Sequence, residues 1–88
     1  MSDHKTEQEL AEILNQARTA VTVGARYQHF RGAEYIVQDI AILEATNEAA
    51  VIYRAEYGEH LIFIRPLSSW LEMVEQDGKR VPRFAQIT

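Results

Sequence analysis

The chain has 88 residues, enough for one domain with one modest core. Its net charge of −4 argues against a protein built to neutralise phosphates. The lack of cysteine excludes disulfides, thiolate zinc sites and a cysteine nucleophile. The polar start, Met1 to Glu7, has no apolar segment of a secretory signal. No apolar run approaches the length of a membrane span, so the reading is a soluble, cytoplasmic protein with no membrane partner.

In chain order, Thr6-Glu7-Gln8-Glu9 fits a capping box, in which the Thr6 oxygen takes the Glu9 amide and the Glu9 carboxylate reaches back to the Thr6 amide. Leu10, Ile13, Leu14, Ala17 and Val21 follow at helical spacing. They predict one amphipathic helix over about Glu7 to Ala20, ended by the β-branched run Val21-Thr22-Val23 before Gly24. Its apolar stripe packs on its own domain or, alternatively, on another protein or a second copy. Val21 to Phe30 reads as one strand broken at Gly24, or as a linker and a strand, and Arg31-Gly32-Ala33 is a turn.

Glu34 to Leu43 is the longest strand. Strict alternation places Tyr35, Val37 and Ala41 on one face, interrupted by Asp39, and Ile36, Ile40 and Ile42 on the other, interrupted by Gln38. Both faces are largely apolar, as they are in Leu61 to Ile64. The second face therefore needs a cover, from the N-terminal helix or from a partner subunit. Glu44 to Glu48 is a polar loop that turns at Asn47.

Ala49 to Leu71 reads as two strands on either side of Gly58, the first running to Tyr57. Pro66 ends the second strand, and Pro66 to Leu71 makes one helical turn that swings Trp70 and Leu71 back onto the strands. Glu72 to Gln76 is a strand, Asp77-Gly78 a type I′ hairpin turn, and Lys79 to Val81 the returning strand. Pro82 interrupts the ladder, so Arg83 to Ile87 closes the chain as a short strand at an edge or a bulge. The sum is a mainly β fold of five or six strands with one N-terminal helix. Residues 1–23 form a tail and helix ahead of a β domain at 24–88. The expected architecture is a small, partly open, SH3-like barrel; the alternative is an α+β sheet with the helix packed on one face.

Chemistry-bearing residues are sparse. His4 belongs to the tail, and His29 and His60 have no metal-ligand spacing, so no metal is expected. Ser68 and Ser69 lack a nucleophile elbow, and the glycines are single and scattered, so no phosphate loop and no cofactor is expected. Glu34, Asp39, Glu56 and Glu59 are carboxylates of an ordinary wet surface, and the chain reads as non-enzymatic. The binding candidates are Tyr27, His29, Arg31, Tyr53, Arg54, Tyr57, Arg65 and Arg83, because tyrosine and arginine dominate interface energetics and also stack on bases. Against that stands a structural reading. The tyrosines are core residues with hydroxyls at the rim, and the arginines pair with Glu56 or Glu34.

Several of these motifs occur together in one known family. Tyr27-Gln28-His29-Phe30-Arg31-Gly32 and Glu34-Tyr35, then Val51 to Gly58, Arg65-Pro66-Leu67, Asp77-Gly78-Lys79 and Val81-Pro82-Arg83-Phe84 follow in order. Over residues 24–87 the chain resembles the bacterial domain-of-unknown-function family 1653. The resemblance implies a compact, mostly β domain and no established chemistry, substrate or cofactor. Relatives carry Trp where this chain has Phe63 and Phe or Tyr where it has Trp70, which implies two aromatics exchanging size within one core. The function expected is a protein- or peptide-binding adaptor module. The alternatives are weak single-stranded nucleic-acid binding, which the acidic balance disfavours, and structural self-association as a homodimer through the N-terminal helix.

Overall fold

The computed structural model describes residues 5–88; His4 lies outside them. Helix α1 spans Glu7–Ala20 and opens with the capping box in full. Glu9 N donates to Thr6 Oγ1 at 3.0 Å, and Thr6 N donates to Glu9 Oε1 at 2.8 Å. Two of the amides that a helix start leaves unpaired are thereby satisfied. At the other end the Val21 amide closes on the Ala17 carbonyl and the chain turns extended. Ala17 and Val21 are buried, with Ile13 and Leu14 packed beside them. The small Ala17 side chain lets the helix sit close on the sheet.

Seven strands follow: β1 (Arg26–His29), β2 (Glu34–Leu43), β3 (Glu48–Ala55), β4 (Ile62–Pro66), β5 (Met73–Gln76), β6 (Lys79–Pro82) and β7 (Phe84–Gln86). A single helical turn, α2 (Leu67–Trp70), separates β4 from β5. Five strands form one antiparallel sheet in the order β4-β3-β2-β1-β7, and β5 with β6 forms a separate hairpin. The fold is mainly β with one N-terminal helix, as the pattern predicted. The sheets do not close into a barrel: β4 and β7 are the two open edges. Pro82 ends the hairpin ladder opposite Met73, and β7 then lies at the sheet edge, one of the two places the proline suggested.

The strict alternation predicted for β2 fails at one residue. The register with β3 runs Val37↔Tyr53 and then Asp39↔Ile52, so a β-bulge leaves Gln38 as the extra residue. Side-chain parity reverses there. Tyr35, Val37, Ile40 and Ile42 lie opposite Ala55, Tyr53, Val51 and Ala49, so all four share the core face. The assignment of Ile40 and Ile42 to a second face is therefore corrected. Gln38 and Asp39 take the exposed positions, and Asp39 Oδ1 accepts the Ile40 amide at 2.8 Å.

The expected cover is corrected too. Helix α1 and Trp70 pack into one cluster with Tyr27, Val37, Ile40, Val51 and Phe84, so the helix roofs the core face and not the other one. The outer face carries Ile36, Ile52, Ile62 and Ile64. Ion pairs of Arg26 with Glu34 and Glu56, and of Arg54 with Glu56, lie on the same face. Two smaller differences concern the central hairpin. Strand β3 ends at Ala55, which puts Tyr57 in the turn. Leu71 is 48% exposed while Trp70 is 2% exposed. Successive residues on a helical turn point about 100° apart, so aiming Trp70 inward aims Leu71 outward.

Two outcomes follow for stability. Trp70→Ala, which empties a fully packed ring site, should cost about 3–5 kcal/mol in urea unfolding, a large share of the total for a domain this small. Gly78 sits at φ +78° in the Asp77-Gly78 turn, so Gly78→Ala should cost about 1–2 kcal/mol in the same assay with the fold retained.

Candidate functional site

The structure divides the eight predicted residues. Tyr27 is buried under α1, where its hydroxyl accepts the Thr22 amide at 2.9 Å and donates to Gln86 Oε1 at 3.2 Å. It belongs to the core. Arg54 lies on the outer face, with Nε and Nη2 donating to Glu56 Oε2 at 3.2 and 3.0 Å. The pairing of this arginine with Glu56 is the structural reading made from the sequence. The other six, His29, Arg31, Tyr53, Tyr57, Arg65 and Arg83, collect at one end of the core face.

Phe84 is the centre of that end. Antiparallel pairing of β1 with β7 sets His29 opposite Phe84, and the imidazole meets the ring edge-on at 5.1 Å. Trp70 stacks flat on Phe84 at 3.8 Å with 4° between planes. Tyr53 and Tyr35 present edges to it at 5.7 and 5.9 Å. Arg65 reaches over from β4, its guanidinium carbon 5.5 Å from the ring centroid. Arg65 Nε donates to the Tyr53 hydroxyl at 3.3 Å and Nη1 to Ser69 Oγ at 2.8 Å. That grip fixes the side chain and leaves Nη2 uncommitted among the described residues. Phe63 and Trp70 both touch Tyr53, at 5.8 and 4.9 Å. The two positions therefore share one neighbour.

The electrostatics are lopsided. Arg83 is matched by Glu72 at 2.7 Å. Among the described residues Arg31 and Arg65 have no carboxylate partner. Burial, then the charges of Arg31, Arg65 and Arg83, hold the His29 imidazole below its ordinary range. Its Nδ1 accepts the Arg31 amide at 3.1 Å, which makes Nε2 the protonated nitrogen of the neutral ring. The Tyr35 and Tyr57 hydroxyls share a hydrogen bond at 3.0 Å. Burial, followed by that bond, pushes the Tyr35 hydroxyl up to about 12, so it stays an O–H at neutral pH. The arrangement offers donors and positive charge beside aromatic rings. An open groove of about 470 Å³ starts at His29, Phe30 and Arg31 and runs to Val81 and Pro82 of the hairpin. Among the described residues no three His, Asp or Glu side chains gather as a metal site would require.

The sequence did not single out Tyr35, Ser69 or Phe84 as site residues. Phe84 meets His29 only because β7 crosses back to pair with β1, and no local pattern reports that pairing. Nor did it single out the β4 edge. The Ala55 amide donates to the Leu61 carbonyl at 2.9 Å. Backbone direction alternates from there, so Phe63 and Arg65 bond to β3 while the N–H and C=O of Ile62 and Ile64 point away from the sheet. Leu61, Ile62 and Ile64 are 58%, 59% and 56% exposed, and no charge interrupts them. Edge strands are ordinarily guarded by charges, bulges or proline, or kept very short, as the three-residue β7 is.

A histidine held neutral in the fold supports stability that is fully present above its unfolded value and is lost as pH falls below about 6.5. His29→Asn should therefore lose less melting temperature than the parent chain between about pH 7.5 and pH 5.5, read by circular dichroism.

The comparisons with known proteins place this geometry. No curated protein sequence is significantly similar to the chain. A crystal structure of a DUF1653 protein from Bordetella bronchiseptica aligns at 29% identity with a TM-score of 0.66, over 73% of this chain and 85% of that one. The family described as protein of unknown function (DUF1653) matches residues 25–86, which leaves α1 outside the match although it packs into the core. The chain belongs to the DUF1653 family.

Proposed function

We propose that this domain is a non-enzymatic binding module that takes an extended segment of another protein as an added strand along β4. The observation that carries the reading is the β4 edge itself. Backbone donors and acceptors of Ile62 and Ile64 face outward, and apolar side chains flank them on both faces. Strand addition supplies affinity through main-chain bonds and specificity through alternate side chains. The aromatic and arginine cluster around Phe84 adjoins the same strand through Phe63 and Arg65. Among the described residues Arg31, Arg65 and Arg80 are the arginines without a carboxylate partner, and three in a chain of net charge −4 are too few to track a nucleic-acid backbone. Helix α1 has Ala17 and Val21 committed to its own core, which favours an interaction surface on the sheet edge over one on the helix.

The test is a ¹⁵N NMR titration with a short capped peptide of alternating valine and threonine. Shifts centred on Leu61 to Arg65 are expected. They should vanish with a backbone N-methylated version of the peptide and with Ile64→Pro, whose lost N–H is not part of the β3 ladder. Shifts insensitive to N-methylation, or lying elsewhere, overturn the reading. So do β4 shifts that depend on protein concentration alone, which would assign the edge to a second copy of the chain.

A further inference from the structure

The added strand would place alternate side chains on the core-face side of β4, where Phe63 and Arg65 lie two residues apart. Side chains directly across an antiparallel pair sit about 4.5–5.5 Å apart at Cβ. A residue opposite Arg65 therefore starts beside the root of a side chain whose guanidinium is held inward over Phe84 by Tyr53 and Ser69, with Nη2 free among the described residues, so a side chain as long as Glu is needed to reach it. Arg65 is half-buried, and no carboxylate of the described chain meets it. Glu72 is taken by Arg83, Glu48 accepts from Ser68 Oγ, and Glu56 pairs with Arg26 and Arg54 on the opposite face. The charges of Arg31 and Arg83 also act on His29 of the same cluster, which adds to the positive field there. The residue opposite Phe63 meets a 39% exposed ring with Tyr53 behind it.

We infer that the segment bound on β4 is acidic: it carries a carboxylate side chain opposite Arg65 and, two residues along, an aromatic or branched apolar side chain opposite Phe63. This rests on the strand-addition reading and adds to it the chemistry of the partner. A guanidinium fixed by two hydrogen bonds loses little further freedom on meeting a carboxylate, and charge-assisted bonds are about twice as strong as neutral ones. The Ile62 and Ile64 side chains on the outer face would take the alternate apolar positions of the same segment.

Three capped peptides test it, identical except for Glu, Gln or Lys at the position opposite Arg65, with Phe two residues away. Titration of the full chain should rank them Glu, Gln, Lys, with the Glu peptide about tenfold tighter than the Gln peptide at low salt. The gap should shrink as salt is raised. Arg65→Gln should abolish the Glu-over-Gln preference. A general loosening of the site by that substitution would weaken both peptides alike, so the preference, not the affinity, is the readout. Arg31→Gln, at an exposed position, should narrow the preference without moving the melting temperature. Equal affinity of the Glu and Gln peptides, both shifting β4, overturns the acidic assignment and leaves strand addition standing. Failure of all three peptides to shift β4 overturns both. Tighter binding of a short oligodeoxythymidine at β4 than of the Glu peptide overturns the assignment in favour of nucleic acid.

Discussion

The flat stack of Trp70 on Phe84 is the contact on which the rest of the molecule depends. One ring comes from the turn that follows β4 and the other from the last strand of the chain. Their contact holds opposite sides of the sheet to one centre. Tyr27, Tyr53, Tyr35 and His29 then arrange their edges around it. Edge-to-face geometry suits the ring quadrupoles, so the cluster is directional as well as apolar. The same stack makes the floor over which Arg65 is held. A cation above an aromatic face is a stable resting state that still leaves a guanidinium edge available.

What the sequence disclosed follows a simple division. Features set by neighbours in the chain were legible. The Thr6 and Glu9 cap, the positive φ pair at Asp77 and Gly78, the turn at Asn47 and the strand end at Pro66 are all local chemistry. Trp70 was legible as a core residue because a lone indole after a proline turn has few other places to go. The bulge at Gln38 was not. The segment Glu34 to Leu43 alternates well on either side of it, and a period-two pattern gives no warning of one inserted residue. The need for a cover over the second face was inferred from that unbroken pattern, and part of the need disappeared with the bulge.

The candidate site was half legible for the same reason. Residue type picked out the tyrosines and arginines, and the structural reading of the same residues placed the tyrosines in the core and paired arginines with Glu56 or Glu34. Parity cannot say which strands meet. Pairing of β1 with β7 brings together residues more than fifty positions apart in sequence, and that pairing converts His29, Phe84 and Arg83 into neighbours. Tyr27 shares its strand face with His29, yet it falls under α1, a segment outside the family match that nonetheless completes the core.

The bulge also constrains how this chain can change in length. Removing Gln38 would restore plain alternation and turn Ile40 and Ile42 toward solvent while presenting Asp39 and Ala41 to the core. The loops at Glu44 to Asn47 and Tyr57 to His60 lie between ladder positions and have no such phase to keep. Insertions and deletions among relatives should therefore collect in those two loops, and the count of residues between Val37 and Ile40 should be the fixed interval of the fold.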